Sequence, residues 1–237
     1  MRTVVILVTV LLTFSVAQGQ RVREKISNDA TGGRGQIDEK RYTWGYYLGL
    51  NSFDYKFDYN EVTDDILTET TTGFNVGLIG DVKLHEHINI RLEPGISFVT
   101  RNLTFNDPSF TMPNQFEREV TSTYINVPLL VKFSTKRLNN WKPFIVGGAS
   151  WSHNLSSNEE NPNDNSTGQF RQRTNLFNYE LGIGIDFYLF FFKFTPSIRG
   201  VFAINDELIR DADPSSPYTG NVASMQSRGI FLNFTFQ

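Results

Sequence analysis

Nine charged side chains are the residues of this chain with the clearest capacity for chemistry. Each stands where small or polar residues alternate with apolar ones: Asp81, Lys83, Arg91, Glu93, Lys132, Glu180, Asp186, Lys193 and Arg199. Charges of both signs are present, and charges in a narrow, water-poor space are tolerated when they pair. We therefore expect a structural network of ion pairs inside the fold. We expect no catalytic, cofactor-binding or metal site.

The three histidines offer weaker alternatives. His85 and His87 flank a turn and could hold a metal, but the sequence shows no third ligand. His153 lies near Ser150, Ser152 and Ser156, and a Ser/His pair could serve a lipid hydrolase. We interpret these residues as solvated turn and rim side chains, so the chain is not expected to be an enzyme.

Acidic residues in two polar stretches could bind Ca²⁺ through loop carboxylates. They have no recognisable spacing: Glu159, Glu160, Asp164, Asp211 and Asp213. No Ca²⁺ site is predicted from them.

The stretch 175–204 shows how the charged residues are positioned. Apolar residues from Phe177 to Leu189 alternate with polar or small ones that include Glu180 and Asp186. After Phe190 the alternation resumes in the opposite parity, which places Lys193 and Arg199 on the polar face. A period of two predicts β-strands, so this stretch is a hairpin of two long strands with almost no turn.

The same alternation recurs along the chain and predicts eight strands of a length that crosses a bilayer at a tilt. The strands are Arg41–Asn51, Gly73–Leu84, Ile88–Arg101, Val120–Phe133, Pro143–Ser152, the two hairpin strands within 175–204, and Gln226–Gln237. The connections are alternately long and short. The predicted fold is all-β: an eight-stranded antiparallel transmembrane β-barrel with short periplasmic turns and long extracellular loops. A soluble β-sandwich or lipocalin-like barrel is the alternative, because its strands also alternate apolar and polar residues.

Two details of these strands are open. Pro94, Pro128 and Pro196 each remove a ladder donor, so we expect bulges or strand ends there. In the fifth strand, Phe144 and Val146 compete with Ile145 and Trp151 for the outward parity. Aromatic residues near strand ends predict an interfacial girdle, namely Tyr42, Trp44, Phe187, Tyr188 and Phe190–Phe192.

Composition limits the class of protein further. The 237 residues include no cysteine and carry a formal charge of −3, so neither disulfides nor nucleic-acid binding is indicated. Mean hydropathy is −0.30 although aromatic residues make up 14% of the chain, a combination that suits a barrel in which alternate residues meet lipid. Residues 1–19 have the pattern of a signal peptide cleaved near Gly19. Residues 20–40 are expected to be a flexible periplasmic segment and 41–237 the barrel.

Several segments resemble the PorT family of outer-membrane β-barrels. They are Tyr124–Phe133, Lys142–Ser150, Asn154–Ser157, Tyr179–Asp186, Phe192–Phe202 and Ser227–Phe234. The block from Tyr179 to Asn205 is the most specific. That family is linked to type IX secretion and gliding motility in Bacteroidetes. The resemblance implies a non-enzymatic accessory barrel of the cell outer membrane that supports protein export.

Three functions follow from this reasoning. The first is an accessory component of type IX secretion that acts through protein–protein contacts. The second is a small porin-like channel or a general structural barrel, and the third, weaker, is a lipid-modifying enzyme. The expected partners are outer-membrane lipid and secretion-system proteins, with no nucleic acid, small-molecule substrate or cofactor.

Overall fold

The computed structural model describes residues 40–61, 66–105, 116–159, 171–189, 191–211, 216 and 218–237. The predicted signal peptide and nearly all of the predicted N-terminal segment lie outside these residues. The strands are β1 (Tyr42–Tyr59), β2 (Leu67–Thr70), β3 (Thr72–Lys83), β4 (Ile88–Leu92), β5 (Gly95–Thr104), β6 (Glu117–Ser134), β7 (Trp141–Asn154), β8 (Asn175–Tyr188), β9 (Lys193–Ala203) and β10 (Val222–Phe236). No helix among the described residues has the length and apolar character needed to cross a membrane.

The strands close into a ring of eight antiparallel spans. β2 and β3 both pair with β5 and together form one span. β4 and β5 both pair with β6 and together form the next span. The first strand closes the ring, because β1 pairs with β3 on one side and with β10 on the other. Every span therefore has two neighbours, which confirms the predicted eight-stranded barrel.

The two ends of the ring differ in their connections. Residues 84–87, 135–140 and 189–192 link strands at one end, called here the short-turn end. The connections 60–66, 105–116, 155–174 and 204–221 lie at the other, the long-loop end. This asymmetry matches the predicted alternation of connections.

The strands reach further toward the long-loop end than predicted. β1 continues to Tyr59, although its predicted end was Asn51, and pairs with β10 as far as Val222. The predicted loop Ser52–Thr72 therefore begins with strand. The alternation does not stop at Asn51; beyond it the outward residues become polar and the inward ones apolar.

An apolar belt surrounds the half of the barrel nearest the short turns. Outward residues along β3 from Phe74 to Val82 and then Leu84 are apolar or glycine, which covers about ten residue steps of ~3.3 Å, or roughly 25 Å at a ~40° tilt. That height suits the hydrocarbon core seen by a transmembrane barrel. Exposed members of the belt include Trp44, Leu48, Leu50, Phe74, Leu78, Ile96, Phe98, Leu129, Ile145, Leu181, Ile183, Ile198 and Ile230.

The wall changes character above the belt. The outward residues there form a polar collar, defined by Asp54, Lys56, Asp58, Asn102, Glu119 and Arg228. Arg228 Nη2 lies 2.5 Å from Asp54 Oδ2, and Lys56 Nζ lies 3.2 Å from Asp58 Oδ1. The same strands turn apolar residues inward at this level, including Phe53, Tyr55 and Leu103. The barrel is thus apolar outside and charged inside within the belt, and polar outside and apolar inside above it.

The uncertain strand details are also resolved. In β7, Ile145 and Trp151 face outward, whereas Phe144 and Val146 are buried in the lumen. Tyr188 does not join the girdle, because it is buried inside with the Arg137 guanidinium 4.0 Å from its ring centre.

Of the expected bulges or strand ends at the prolines, a strand end is confirmed at Pro94, whereas bulges at Pro128 and Pro196 are wrong because the register does not shift there. Pro94 lies in the gap between β4 and β5, yet both β3 and β6 keep one register across that gap. Pro128 lies within β6. Pro196 lies within β9, where the β8–β9 pairing skips two positions and resumes unchanged. Ladder donors are missing locally, but no residue is inserted.

The position of the belt can be tested with a charged substitution. Leu181 is 64% exposed near the middle of the belt, so Leu181→Arg should reduce the free energy of unfolding by about 2–4 kcal/mol in lipid vesicles. The measurement is urea unfolding followed by tryptophan fluorescence.

Asn102→Arg is the matched control, since Asn102 is exposed and faces outward in the collar. It should change the free energy by no more than about 0.5 kcal/mol. Equal effects of the two substitutions would contradict the assigned belt.

Candidate functional site

A chain of buried ion pairs crosses the lumen within the belt. Arg91 Nη2 lies 3.0 Å from Asp81 Oδ2, and Arg91 Nη1 lies 3.3 Å from Glu93 Oε1. Glu93 also accepts a hydrogen bond of 2.6 Å from Arg199 Nη1. Arg199 Nε lies 2.8 Å from Glu180 Oε2, although these two atoms are not aligned for a hydrogen bond. Glu93 therefore joins two guanidinium groups from opposite parts of the ring.

A second pair lies nearer the short turns. Lys132 Nζ donates to Asp186 Oδ2 at 2.5 Å, and Thr195 donates to the other carboxylate oxygen at 2.7 Å. The Lys132 ammonium also sits 4.0 Å from the centre of the Phe144 ring. An aromatic face and a carboxylate together stabilise this buried cation.

The remaining two predicted residues lie at the short-turn mouth of the lumen. Lys193 is buried and Lys83 is partly buried, and both line a small cavity there. The structure thus places all nine predicted residues on the inward parity, with eight of them buried. Seven lie in the two ion-paired groups.

Glycines on the inward face create the space for aromatic side chains in the lumen. A Cβ added to Gly95 would stand 2.1 Å from the Tyr47 hydroxyl oxygen, and one added to Gly184 would stand 2.4 Å from Phe144 Cζ. Gly229 makes the same kind of space for Phe53. Large rings over small residues fill a narrow barrel without displacing the ion pairs.

A further buried cation, Arg101, lies above this network. It is fully buried, and its guanidinium is 4.0 Å from the ring centre of Tyr55 and donates to the Tyr55 hydroxyl. The alternation places Arg101 on the inward parity, but Val99 and Leu103 on the same parity are apolar, so the sequence does not indicate a polar face there. Arg101 should be added to the lumen charges.

Loop residues close the long-loop end above Arg101. Gln172 donates to the Tyr55 hydroxyl at 2.7 Å and accepts from Asn154 Nδ2 at 3.1 Å. Leu208 pairs with Gln172 in an isolated bridge and packs in a buried cluster with Met225. We call this group the cap: Tyr55, Arg101, Gln172, Leu208 and Met225.

Glu207 anchors the cap to β10. It is fully buried, and its carboxylate accepts hydrogen bonds from the Ser227 amide at 2.7 Å and the Ser227 hydroxyl at 2.9 Å. Burial raises the pKa of the Glu207 carboxyl, and the positive charge of Arg101 and the bonds from Ser227 oppose that rise.

The weaker site candidates do not come together. His153 faces outward beside Trp151, whereas Ser150 and Ser152 face inward, so the proposed Ser/His pairing is wrong for these two serines. His87 Nδ1 lies 2.9 Å from the Ser134 carbonyl oxygen. Within the described ranges, no three His, Cys, Asp or Glu side chains are grouped as metal ligands.

The Ca²⁺ candidates are only partly visible. Glu160, Asp164 and Asp213 lie outside the described residues. Asp211 is engaged by Arg171 at 3.1 Å and by the hydroxyl groups of Ser216 and Thr219. Glu159 accepts a 2.8 Å bond from the Thr174 amide, and its pKa is lowered by hydrogen bonds from Thr174.

Side chains occupy most of the described lumen and leave small cavities. Between the ion network and the cap lies a cavity of about 20 Å³ bordered by Phe53, Tyr124 and Phe231. That volume accommodates about one water molecule. The arrangement can hold opposite walls of the ring together through ion pairs.

Comparison with known proteins gives a family for this architecture. Residues 17–208 match the family described as outer membrane protein beta-barrel domain. No curated protein matches the sequence.

Solved structures of barrels are similar at low identity. Neisserial surface protein A is 8% identical, with a TM-score of 0.44 over 83% of this chain and 98% of that chain. OprG from Pseudomonas aeruginosa is 12% identical, with a TM-score of 0.43 over 82% and 93%. The N-terminal barrel of Pseudomonas aeruginosa OprF is 11% identical, with a TM-score of 0.36 over 79% and 97%.

The importance of Glu93 can be tested by neutralising it. Glu93→Gln leaves Arg91 and Arg199 buried without their shared carboxylate, so the free energy of unfolding should fall by about 3–5 kcal/mol. Urea unfolding in lipid vesicles measures the loss. The control is Glu69→Gln on the exposed face of β2, which should leave the free energy of unfolding nearly unchanged. If Glu93→Gln also left it unchanged, the ion pairs of Glu93 with Arg91 and Arg199 would not stabilise the barrel.

The raised pKa of Glu207 predicts a pH dependence. Because the folded state holds this proton more tightly than the unfolded state, stability should fall as pH rises above the ordinary carboxyl range and level off above the folded pKa. Glu207→Gln should remove that dependence. The measurement is the wild-type minus variant difference in unfolding free energy at a series of pH values.

Glu159→Gln provides a control of opposite sign. Its lowered pKa means that the Glu159 carboxylate contributes stability above the unfolded pKa and loses it as pH falls. The same trend in both variants would contradict the burial effect assigned to Glu207.

Proposed function

Because this chain belongs to the outer membrane protein beta-barrel domain family, we propose that it is a non-enzymatic accessory component of type IX protein secretion. It sits in the lipid bilayer of the bacterial outer membrane and acts through contacts with other proteins. The resemblance of six segments to the PorT family, with the most specific block at Tyr179–Asn205, supports the assignment to this secretion system.

The filled lumen is the observation that carries the proposal. Ion pairs around Glu93 occupy the belt level, and the cap covers the long-loop end. A barrel closed in this way offers its surfaces rather than its interior to other molecules. Protein contact is the activity that such surfaces support.

Two surfaces are available for partners. On the extracellular side, the collar presents charged residues of both signs on a rigid wall, including Asp54, Lys56 and Arg228. On the periplasmic side, the short turns carry basic residues such as Lys136 and Arg137. Residues 20–40, left after removal of a signal peptide near Gly19, add a periplasmic segment to the second surface in this proposal.

The alternatives are a small porin-like channel and a general structural barrel. The same filled lumen disfavours steady conduction, because moving an ion through would require breaking buried pairs such as Lys132–Asp186. A structural barrel makes the same fold without specific partners. Export phenotype and conductance therefore separate the three.

Deletion of the gene in its own organism tests the secretion role. Type IX cargo should accumulate in the periplasm and disappear from the medium, as measured by immunoblotting of both fractions. A plasmid copy of the full chain should restore export. Normal export in the deletion strain would overturn the proposal in favour of a structural barrel.

A planar bilayer containing the purified barrel tests the channel alternative. The wild-type protein should remain silent under applied voltage. Steady, reproducible conductance would show that the lumen opens and would favour the porin-like function.

A further inference from the structure

An apolar groove runs across the outer face of the wall, in the half of the belt nearest the short turns. Its volume is about 770 Å³, and the adjacent strands β6 to β10 line it. At one end it is bordered by Ser134, the last residue of β6, and by Thr135. At the other end it reaches Leu232, well inside β10, which ends at Phe236. The groove therefore rises from the short-turn rim into the hydrocarbon level of the belt.

Two prolines keep the floor of the groove low. Pro143 pairs with Ile185 across β7 and β8, and Pro196 is the position beside Ile185 on β9, where the β8–β9 pairing is interrupted. These three residues are only partly exposed. The outward residues around them project further and are 48–63% exposed, namely Phe133, Ile145, Ile183 and Ile198. Compact rings between taller side chains thus form a channel.

The dimensions of the groove fit an acyl chain better than a protein. Five strands spaced about 4.8 Å apart give it a length of roughly 19 Å. One leaflet of the hydrocarbon core is about 15 Å thick, so one acyl chain can follow this slanted channel. A groove about 10 Å wide covers roughly 200 Å² at that length, whereas a standard protein interface needs about 800 Å² on each partner.

The short-turn end of the groove is polar. Thr135 supplies a hydroxyl group there, and the next residue, Lys136, is exposed in the same turn. Leu138 and Trp141 close this turn and are also exposed, as is typical of side chains at a membrane boundary. An apolar channel that ends beside a hydroxyl and an ammonium group has the polarity of a phospholipid, with its chain in the belt and its headgroup at the rim.

We propose that this groove binds one anionic phospholipid of the inner leaflet. An acyl chain lies along the proline floor, and the phosphate lies beside Lys136. Because bulk lipid is as apolar as the groove, the preference for this site comes from close packing in the channel and from attraction between the ammonium and the phosphate. The chain also covers the wall where Pro196 removes a ladder donor. This inference does not depend on a role in secretion.

Mass spectrometry of the intact, full mature barrel released from a non-ionic detergent tests the proposal, with added phosphatidylglycerol as the probe. The wild-type barrel should retain one phospholipid after excess detergent has removed the general lipid shell. Ile185→Trp puts a large ring on the floor and should weaken retention at least about tenfold. Leu181→Trp is the matched control, because Leu181 lies on the same strand and face outside the groove. It should retain phospholipid like the wild type.

Lys136→Met tests the headgroup contact. It should weaken retention of phosphatidylglycerol several-fold and leave retention of phosphatidylethanolamine, whose headgroup has no net charge, nearly unchanged. Lys56→Met in the collar is the control, because Lys56 is an exposed lysine at the opposite end of the barrel. It should change neither lipid. Equal weakening of both lipids by Lys136→Met would overturn the assignment of an anionic headgroup.

Three results would overturn the groove as a phospholipid site. The first is a wild-type barrel that retains no phospholipid, and the second is equal retention by the wild type, Ile185→Trp and Leu181→Trp, which indicates general lipid contact. The third is a dimer mass that disappears only in Ile185→Trp, which identifies a second copy of the chain as the occupant. Should Ile185→Trp fail to fold, Phe133→Ala removes one wall of the groove and should weaken retention several-fold.

Discussion

A backbone that crosses lipid must satisfy its hydrogen bonds within the protein, and in this fold the pairing of β1 with β10 does so. Without that contact the first and last spans would present open edges to a solvent that cannot bond them. All other features depend on the closed ring. It creates the lumen, it brings residues from distant parts of the sequence to one level, and it holds even its proline-bearing strands in unshifted register.

The ring creates a second constraint, because an eight-stranded lumen has little room for water. Charges that enter it must find partners there. Arg199 on β9 reaches Glu93 between β4 and β5 across the interior, so the ion pairs act as cross-links between walls that share no hydrogen bonds. Aromatic rings over glycines fill the remaining space.

Alternation in the sequence was sufficient to predict the ring, the inward parity of the nine charges and the outward parity of residues such as Leu181. It could not predict which charges pair, because the partners of Glu93 depend on strand tilt across the lumen. β1 beyond Asn51 was missed because the polar outward residues Asp54 and Lys56 resemble a loop. The cap was also beyond prediction: Gln172 contacts Tyr55 from a non-periodic loop 117 positions away.

The reversal of polarity between the belt and the collar has a consequence for how the strands choose their alignment. A slip of one residue turns every side chain to the opposite face. In an ordinary membrane barrel such a slip is penalised where lipid meets polar groups. Here it is penalised at two levels of a single span: in the span formed by β4 and β5, a slip would turn Arg91 outward into lipid and would expose Val99 and Leu103 to water. Two separate costs thus fix the alignment of one span: polar side chains would enter lipid at the belt, and apolar side chains would enter water at the collar.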